Sequence, residues 1–206
     1  MSVRIAAVVL VGLLVAGCTP TTADVPPVAG AVATAAPVQK VPANRWRAVL
    51  VAGDNNSPSF NNGIESLRER LTAAGVRDIK LLSADPARVA GGQLASSANV
   101  RNAMGGGGGE ACLAFVTSHG EERGVFLRAD RRFFGPALLD QALTAGCGAV
   151  PTVVVVSACH SGTFIDDRMR KPNRVILTAA ATDRTSFGCG SDDEFTYVAR
   201  AMQRVE

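Results

Sequence analysis

From residue 46 onward, short apolar runs alternate with segments of helical periodicity. Five runs have the length and composition of strands, at residues 47–52, 78–83, 111–116, 152–156 and 174–179. Apolar spacing predicts helices at residues 63–74 and 135–145, and a short helix from Glu194 to the C-terminus. Strands that alternate with helices are typical of a parallel sheet covered by crossover helices, so we expect an α/β domain with a mostly parallel central sheet.

Five consecutive glycines, residues 105–109, are the kind of run that can indicate a phosphate-binding loop. Such a loop needs a Lys followed by Ser or Thr at the start of a helix. This run leads instead through Glu110 into the strand at residues 111–116. We therefore interpret it as a flexible turn.

The first residues have the pattern of an export signal. Arg4 precedes an apolar run at residues 5–15, which is shorter than the roughly 20 residues that cross a bilayer. Residues 15–18 (VAGC) resemble a lipobox, so we predict that residues 1–18 are a lipoprotein signal peptide and that Cys18 carries the lipid. The alternative is an ordinary signal peptide with a chance cysteine. Because Thr19 is not Asp, we expect a membrane-anchored lipoprotein of the bacterial cell envelope, facing the periplasm from the outer membrane.

A change in amino-acid composition near residue 45 divides the chain into a predicted tether and one predicted folded domain. Residues 19–44 are rich in Ala, Pro, Val and Thr and carry almost no charge, so we interpret them as a flexible tether. Residues 45–206 are enough for one hydrophobic core. The formal net charge of +3 is spread along the chain without a basic block, so we expect no nucleic-acid partner.

Two predicted strands lead into reactive residues. The strand at residues 111–116 precedes His119 and Gly120, and the strand at residues 152–156 precedes Cys159. Ligand sites of parallel sheets lie at the carboxyl ends of the strands, so adjacent strands would bring these residues to one edge. A nearby imidazolium favours the nucleophilic thiolate, and the same group can protonate a leaving amine. We predict Cys159 as nucleophile, His119 as acid/base and the Gly120 backbone as part of an oxyanion hole.

The chain has two histidines, and His160, next to the thiol, competes with His119 for the acid/base role. Neighbours along a chain rarely point at each other, which favours His119. The alternative to a nucleophilic site is a buried structural thiol with a surface histidine. Among the other cysteines, Cys112 opens an apolar strand and is predicted to be a buried thiol. A disulfide between Cys147 and Cys189 is then predicted, although spacing does not fix connectivity.

An apolar strand that ends in His-Gly, followed by another that ends in Ala-Cys, resembles the paired signature of the caspase and legumain group (clan CD) of cysteine peptidases. Residues 176–197 resemble the segment after the nucleophile in legumain-like peptidases, and residues 49–53 (VLVAG) extend the similarity to most of the chain from residue 45. The resemblance implies a caspase-like three-layer α/β/α sandwich. It also implies hydrolysis of peptide bonds through a Cys159 thioester with His119 as general acid/base, without a metal or organic cofactor.

The resemblance implies further site residues. Thr185 and Ser186 fall where the family has a small polar wall of its primary specificity pocket. Asn62, or a neighbour within residues 59–63, falls near the family's histidine-orienting Asn. Legumains have an acidic residue where this chain has His160, which we place among the substrate-binding residues, and another where it has Arg200. These two departures argue against an asparagine preference.

Three functions fit these observations: a cysteine-type endopeptidase acting on proteins or peptides, a transamidase or ligase using the same dyad, and a non-catalytic caspase-like binding module. The chain stops before the last strand of a complete caspase-like domain, so we expect a truncated sheet or a homo-oligomer that completes it. The charged residues 166–171 fit either an activation site or a solvated loop, and we favour the loop. Residues 192–194 are predicted to cap the last helix rather than bind a cation.

Overall fold

The central sheet has six strands, all of them parallel. The structure is a computed structural model and describes residues 40–204. The strands within this range are β1 (Trp46–Ala52), β2 (Asp78–Ser83), β3 (Gln93–Leu94), β4 (Ala111–Thr117), β5 (Gly120–Glu121), β6 (Gly124–Leu127), β7 (Arg132–Phe134), β8 (Thr152–Ser157) and β9 (Arg174–Thr178). The large sheet has the order β3-β2-β1-β4-β8-β9, and β5-β6-β7 form a small antiparallel sheet. The predicted signal peptide, Cys18 and most of the tether lie outside the described residues.

Helices cover both faces of the large sheet. They are α1 (Pro58–Ala73), α2 (Ser97–Gly105), α3 (Pro136–Gly146) and α4 (Tyr197–Gln203). Along β1, Val49 and Val51 face a core cluster shared with α2 and α3, whereas Ala48 and Leu50 face a second cluster shared with α1 and α4. Because successive side chains of a strand point to opposite faces of the sheet, each strand contributes residues to two separate cores. This arrangement confirms the predicted three-layer α/β/α sandwich with a mostly parallel sheet.

Helix α1 begins at Pro58, earlier than the predicted start at residue 63. The Ser57 side chain caps the helix by accepting a hydrogen bond from the Ser59 N–H at 3.3 Å, and Pro58 occupies the first turn. Residues 58–62, which precede the predicted start, thus form the first part of the helix. The extension places Phe60 in the core, where its ring is fully buried.

The structure contradicts the predicted Cys147–Cys189 disulfide, because Cys147 is bonded to Cys112 and Cys189 is a free thiol. Cys112 lies on the face of β4 that packs against α3, and Cys147 lies at the end of that helix. Their Cα atoms are 6.1 Å apart, within the range that a disulfide spans. Cys112 is buried as predicted, but it is not a thiol.

Thr196, rather than the acidic residues before it, caps α4. The Thr196 hydroxyl accepts a hydrogen bond from the Ala199 N–H at 3.2 Å, so the helix begins at Tyr197 and not at the predicted Glu194. The Asp193 carboxylate instead accepts a hydrogen bond from the Gly190 N–H at 2.8 Å. The predicted capping by residues 192–194 is therefore wrong.

The glycine run connects α2 to β4, as the sequence predicted. Gly107 and Gly108 adopt positive φ angles of 64° and 111°, which form the turn. The buried Arg47 side chain donates hydrogen bonds to the carbonyl oxygens of Ala103 and Gly107 and forms an ion pair with Asp78 at 3.5 Å. One carbonyl group of the run and one of α2 therefore hold a buried guanidinium.

Residues just before β1 contact the folded unit. The Trp46 indole N–H donates a hydrogen bond to the Val41 carbonyl at 3.2 Å, and Ala43 packs against the cluster on the α1 side. The last part of the predicted tether therefore lies against the domain. None of the helices within residues 40–204 is both long and apolar enough to cross a bilayer.

Candidate active site

The pairing of β4 with β8 brings His119 and Cys159 to the same edge of the sheet. The two strands are parallel, with Thr117 opposite Ser157. His119 and Cys159 each follow that pair by two residues. The alignment continues beyond the strands, because the Ser118 N–H donates a hydrogen bond to the Ser157 carbonyl at 3.3 Å. The two candidate catalytic residues therefore leave the carboxyl ends of neighbouring strands side by side.

Gly120 packs directly against the backbone of the nucleophile. A Cβ at this position would collide with the Cys159 carbonyl oxygen and lie 3.0 Å from the Ala158 Cβ. Only a residue without a side chain fits there, which explains the glycine after His119. The Cys159 N–H makes no hydrogen bond to any residue in the described range.

The small antiparallel sheet holds the backbone of His119. The Phe126 N–H on β6 donates a hydrogen bond to the His119 carbonyl at 2.9 Å, and the Ser118 hydroxyl donates one to the Phe126 carbonyl at 2.7 Å. The Phe60 ring packs edge-on against the imidazole, with the ring centres 5.2 Å apart. Backbone bonds and an aromatic contact thus fix the position of the histidine.

Asn62 does not contact His119. Its side-chain amide donates a hydrogen bond to the Glu194 carbonyl at 2.9 Å. Phe60, two residues earlier, is the residue of this segment that touches the imidazole. The expected segment, residues 59–63, therefore reaches the imidazole, but through Phe60 and not through Asn62.

The ring of His160 turns to a neighbouring loop. Its Nδ1 atom is hydrogen-bonded to the Thr182 carbonyl at 2.8 Å, and its backbone N–H donates to the Arg184 carbonyl at 2.7 Å. Its φ of 56° is in the left-handed region, which reverses the chain directly after Cys159. The Nδ1 atom of His160 is therefore engaged by a loop carbonyl.

Ser186 contacts the nucleophilic sulfur. Its backbone N–H donates a hydrogen bond to the Cys159 Sγ at 3.3 Å, whereas the neighbouring Thr185 is exposed beside it. The Cys159 thiol in turn donates to the Ser186 carbonyl at 3.8 Å. Ser186 therefore belongs to the site through its backbone, in addition to the pocket-wall position expected for its side chain.

Two aromatic residues beside Ser186 were not predicted from the sequence. The rings of Phe187 and Tyr197 lie 5.7 Å apart and are 64% and 60% exposed. Exposed aromatic pairs are unusual on a soluble surface unless they contact a partner. A sequence signal existed, because both aromatic residues fall in an otherwise polar segment, residues 181–197.

Asp54 fastens the loop after β1 to the small sheet. Its buried carboxylate accepts hydrogen bonds from Arg128 at 2.7 Å and from the backbone N–H groups of Asn55 and Asn56 at 2.6 and 2.9 Å. Burial raises the pKa of Asp54, but the hydrogen bonds from Arg128 and the backbone outweigh it and lower the pKa below its ordinary value. Asp54 is therefore a charged structural anchor beneath the site.

Asn in place of Asp54 is expected to lower the free energy of unfolding by about 1–3 kcal/mol at pH 7, because a buried charged hydrogen-bond network is broken. The stabilisation from Asp54 is fully present above the unfolded-state pKa of about 3.9 and is lost as the pH falls through the lower folded-state pKa. Urea unfolding from pH 7 to pH 3 should therefore show a difference between the proteins that narrows in acid. An equal loss in the Asp183→Asn control, whose side chain is 77% exposed, would contradict this role.

A polar cavity of about 310 Å³ lies between α1 and the segment that follows β2, but neither His119 nor Cys159 lines it. Its walls include Asn55, Asn61 and Arg88. This cavity is thus separate from the candidate dyad. Within residues 40–204, no cluster of three or more His, Cys, Asp or Glu side chains is arranged to hold a metal ion.

Comparison with known proteins identified a matching family model and solved structures of similar fold. The model of the Peptidase C13 family matches residues 89–204, more than half of the chain and a range that includes both His119 and Cys159. The chain is similar to the crystal structure of caspase-1 from Spodoptera frugiperda, with a TM-score of 0.54 and 13% identity, over 77% of this chain and 67% of that one. At this identity the likeness shows the fold alone. No curated protein matched the chain significantly.

Proposed function

Because the chain belongs to the peptidase C13 family, whose members are of the cysteine peptidase type, we propose that it is an endopeptidase that hydrolyses peptide bonds through a thioester on Cys159. His119 is its general acid/base. The observation that carries the proposal is the common edge of β4 and β8, where Gly120 packs on the Cys159 backbone. That contact brings the chain segment after His119 close to the backbone of Cys159, which supports a common site for the imidazole and the thiol.

Each dyad member has a defined part in the first half of the reaction. His119 takes the proton from the Cys159 thiol, and the thiolate attacks the carbonyl carbon of the substrate. The oxygen that becomes negative faces the N–H groups of Cys159 and Gly120. His119 then gives its proton to the leaving amine, which leaves the acyl group on the sulfur.

The second half releases the acid product. His119 takes a proton from water, and the hydroxide attacks the thioester carbonyl. Collapse of the second tetrahedral intermediate breaks the carbon–sulfur bond, and the sulfur takes its proton back from the imidazolium. The Ser186 N–H, 3.3 Å from the sulfur, supports the thiolate at the beginning and end of this cycle.

Substrate binding is assigned to the loop beside the nucleophile. Thr185, Ser186 and His160 border the scissile bond, and the exposed pair of Phe187 and Tyr197 offers an apolar surface to neighbouring substrate residues. Protein and peptide segments in extended conformation suit such an open edge. The natural substrate is then a protein with an accessible loop.

The proposal includes anchoring in the cell envelope through a lipid on Cys18. The lipobox-like residues 15–18 support it. The Cys112–Cys147 disulfide supports it as well, since disulfides persist in exported proteins and are rare in the cytosol.

The proposal also includes association between copies through β9. This strand forms one edge of the sheet, and Val175 and Leu177 on it are 56% and 53% exposed. A free strand edge with exposed apolar side chains supports addition of a strand from a second copy.

Cleavage of a diverse peptide library by the reduced protein tests the function. We expect cleavage by the wild type and none by Cys159→Ala, because the thioester cannot form without the sulfur. Mass spectrometry of the products reveals the preferred residues and any ligated peptides. A folded, reduced wild-type protein that cleaves nothing, or a Cys159→Ala variant that cleaves equally well, would reject the proposal.

A further inference from the structure

The residues directly after the nucleophile, 160–162, form a turn that lies against the loop of residues 179–186. We call the first segment the nucleophile turn and the second the substrate loop. Ser161 binds the beginning of the loop, His160 binds its middle, and Cys159 meets its end. Successive residues backward along the turn thus meet successive residues forward along the loop. The proposed peptidase mechanism gives Ser161 no role.

The Ser161 hydroxyl is bound entirely by the first residues of the substrate loop. Its oxygen accepts hydrogen bonds from the Ala179 and Ala180 N–H groups at 3.0 and 3.1 Å, and its proton is donated to the Ala180 carbonyl at 3.4 Å. A serine hydroxyl has one proton and two lone pairs, so all of its hydrogen-bonding capacity is used. Ser161 is 1% exposed, so bulk water does not compete for these bonds. The beginning of the loop therefore depends on one buried hydroxyl.

The middle of the substrate loop packs on the same turn. A Cβ at Gly162 would lie 2.5 Å from the Thr182 nitrogen and 2.7 Å from the Ala181 carbonyl carbon, so the loop backbone lies directly on this glycine. His160 holds the next stretch through two hydrogen bonds, from Nδ1 to the Thr182 carbonyl and from its N–H to the Arg184 carbonyl. The loop is thus in contact with the turn from its first residue onward.

We propose that Ser161 is a positioning residue, whose hydroxyl sets the register of the substrate loop on the nucleophile turn and thereby places Thr185 and Ser186 beside the Cys159 sulfur. The loop ends at that sulfur, where the Ser186 N–H lies 3.3 Å from Sγ. Within residues 40–204 no hydrogen bond joins the Ser161 side chain to Cys159, so its influence passes through the loop. Alanine at this position would leave the Ala180 N–H without its acceptor.

Thr163 provides the matched control. It belongs to the same 3-10 helix, Ser161–Phe164, but its hydroxyl donates to the Glu122 carbonyl at 2.9 Å, at the turn between β5 and β6. Valine has nearly the shape of threonine and lacks the hydroxyl. Thr163→Val therefore removes one hydrogen bond from this helix without changing the bonds to the substrate loop.

Amide hydrogen exchange of the full-length protein, measured by mass spectrometry, tests the assignment. We expect the amides of residues 179–186 to exchange at least about tenfold faster in Ser161→Ala than in the wild type, while those of β4 and β8 keep their wild-type rates. A purely structural loss of stability would instead speed exchange throughout the sheet. Thr163→Val should leave exchange in the substrate loop within about twofold of the wild type.

The effect on peptide cleavage rests on the proposed function. Thr185 and Ser186 border the substrate, whereas the dyad follows β4 and β8 and does not depend on the loop. Ser161→Ala should therefore raise KM at least about fivefold, with a smaller loss in kcat. A fall in kcat at unchanged KM would contradict the assignment of Ser161 to the substrate loop.

Loop exchange that is unchanged beyond Ala180 in Ser161→Ala, or that is raised equally in Thr163→Val, would overturn the positioning role. Should Ser161→Ala fail to fold, Gly162→Ala takes its place, because the added Cβ displaces the loop while the Ser161 hydroxyl remains. Wild-type exchange at residues 183–186 in folded Gly162→Ala would also overturn the role. A wild-type protein that cleaves no peptide rejects the peptidase, but the exchange result still decides the role of Ser161.

Discussion

Replacing His119 by alanine is expected to reduce peptide cleavage by at least about a thousandfold, because one imidazole serves as base toward the thiol and as acid toward the leaving amine. The loss should appear mainly in kcat, since the substrate loop contains other residues. Alkylation of Cys159 at alkaline pH should persist, because hydroxide then replaces the missing base. Steady-state kinetics and mass spectrometry of the alkylated protein measure the two effects.

His160→Asn is the matched variant at the other histidine. Asparagine tolerates the left-handed backbone that His160 adopts, so kcat should change by no more than about threefold while KM shifts. A larger kcat loss in His160→Asn than in His119→Ala would exchange the roles of the two residues. Equal and complete losses in both would point to a collapsed loop, which thermal unfolding of the variants would reveal.

Removing the Cys112–Cys147 disulfide should cost about 4 kcal/mol of unfolding free energy, because a bond across a sequence separation of 35 restricts the unfolded chain. For a chain of this size the Tm should fall by about 8–15 °C. The Cys112→Ala/Cys147→Ala double variant, followed by calorimetry, measures the effect.

Each single alanine variant of this pair serves as the control. Since either substitution breaks the same bond, the two single variants and the double variant should unfold within about 1–2 kcal/mol of one another after allowance for the lost side-chain packing. A wild-type Tm that does not change on full reduction would contradict the stabilising role of the bond.

The central sheet was predictable because its strands are short apolar runs that can be recognised in the sequence. Residues 111–116 and 152–156 are too short and too apolar for surface helices, and both are buried on two faces in the structure. His119 and Cys159 follow their carboxyl ends, so the general rule for parallel sheets predicts from the sequence that these two residues lie at one edge of the sheet. The composition of these two segments thus predicts both the parallel sheet and the placement of His119 and Cys159 at one edge of it.

The disulfide pairing and the residue that contacts His119 were not predicted correctly, because both depend on contacts between residues that are far apart in the sequence. The partner of Cys147 depends on which face of β4 each residue occupies, and residue parity along β4 places Cys112 on the α3 side. Phe60 reaches His119 only because Ser57 and Pro58 start α1 early. Neither contact has a local pattern of its own, although the cap residues of α1 were visible in the sequence.

The central place of β1 has a consequence for how the chain reaches its fold. β1 is the first of the sheet strands to be synthesised, but it pairs with β2 and with β4, and Trp46 lies opposite Ala111. Closing such long loops costs entropy before any pairing is gained, so folding is slow compared with that of helical bundles of similar length. An apolar strand stays without partners while the later strands emerge, and in that interval it is a natural target for a holdase chaperone.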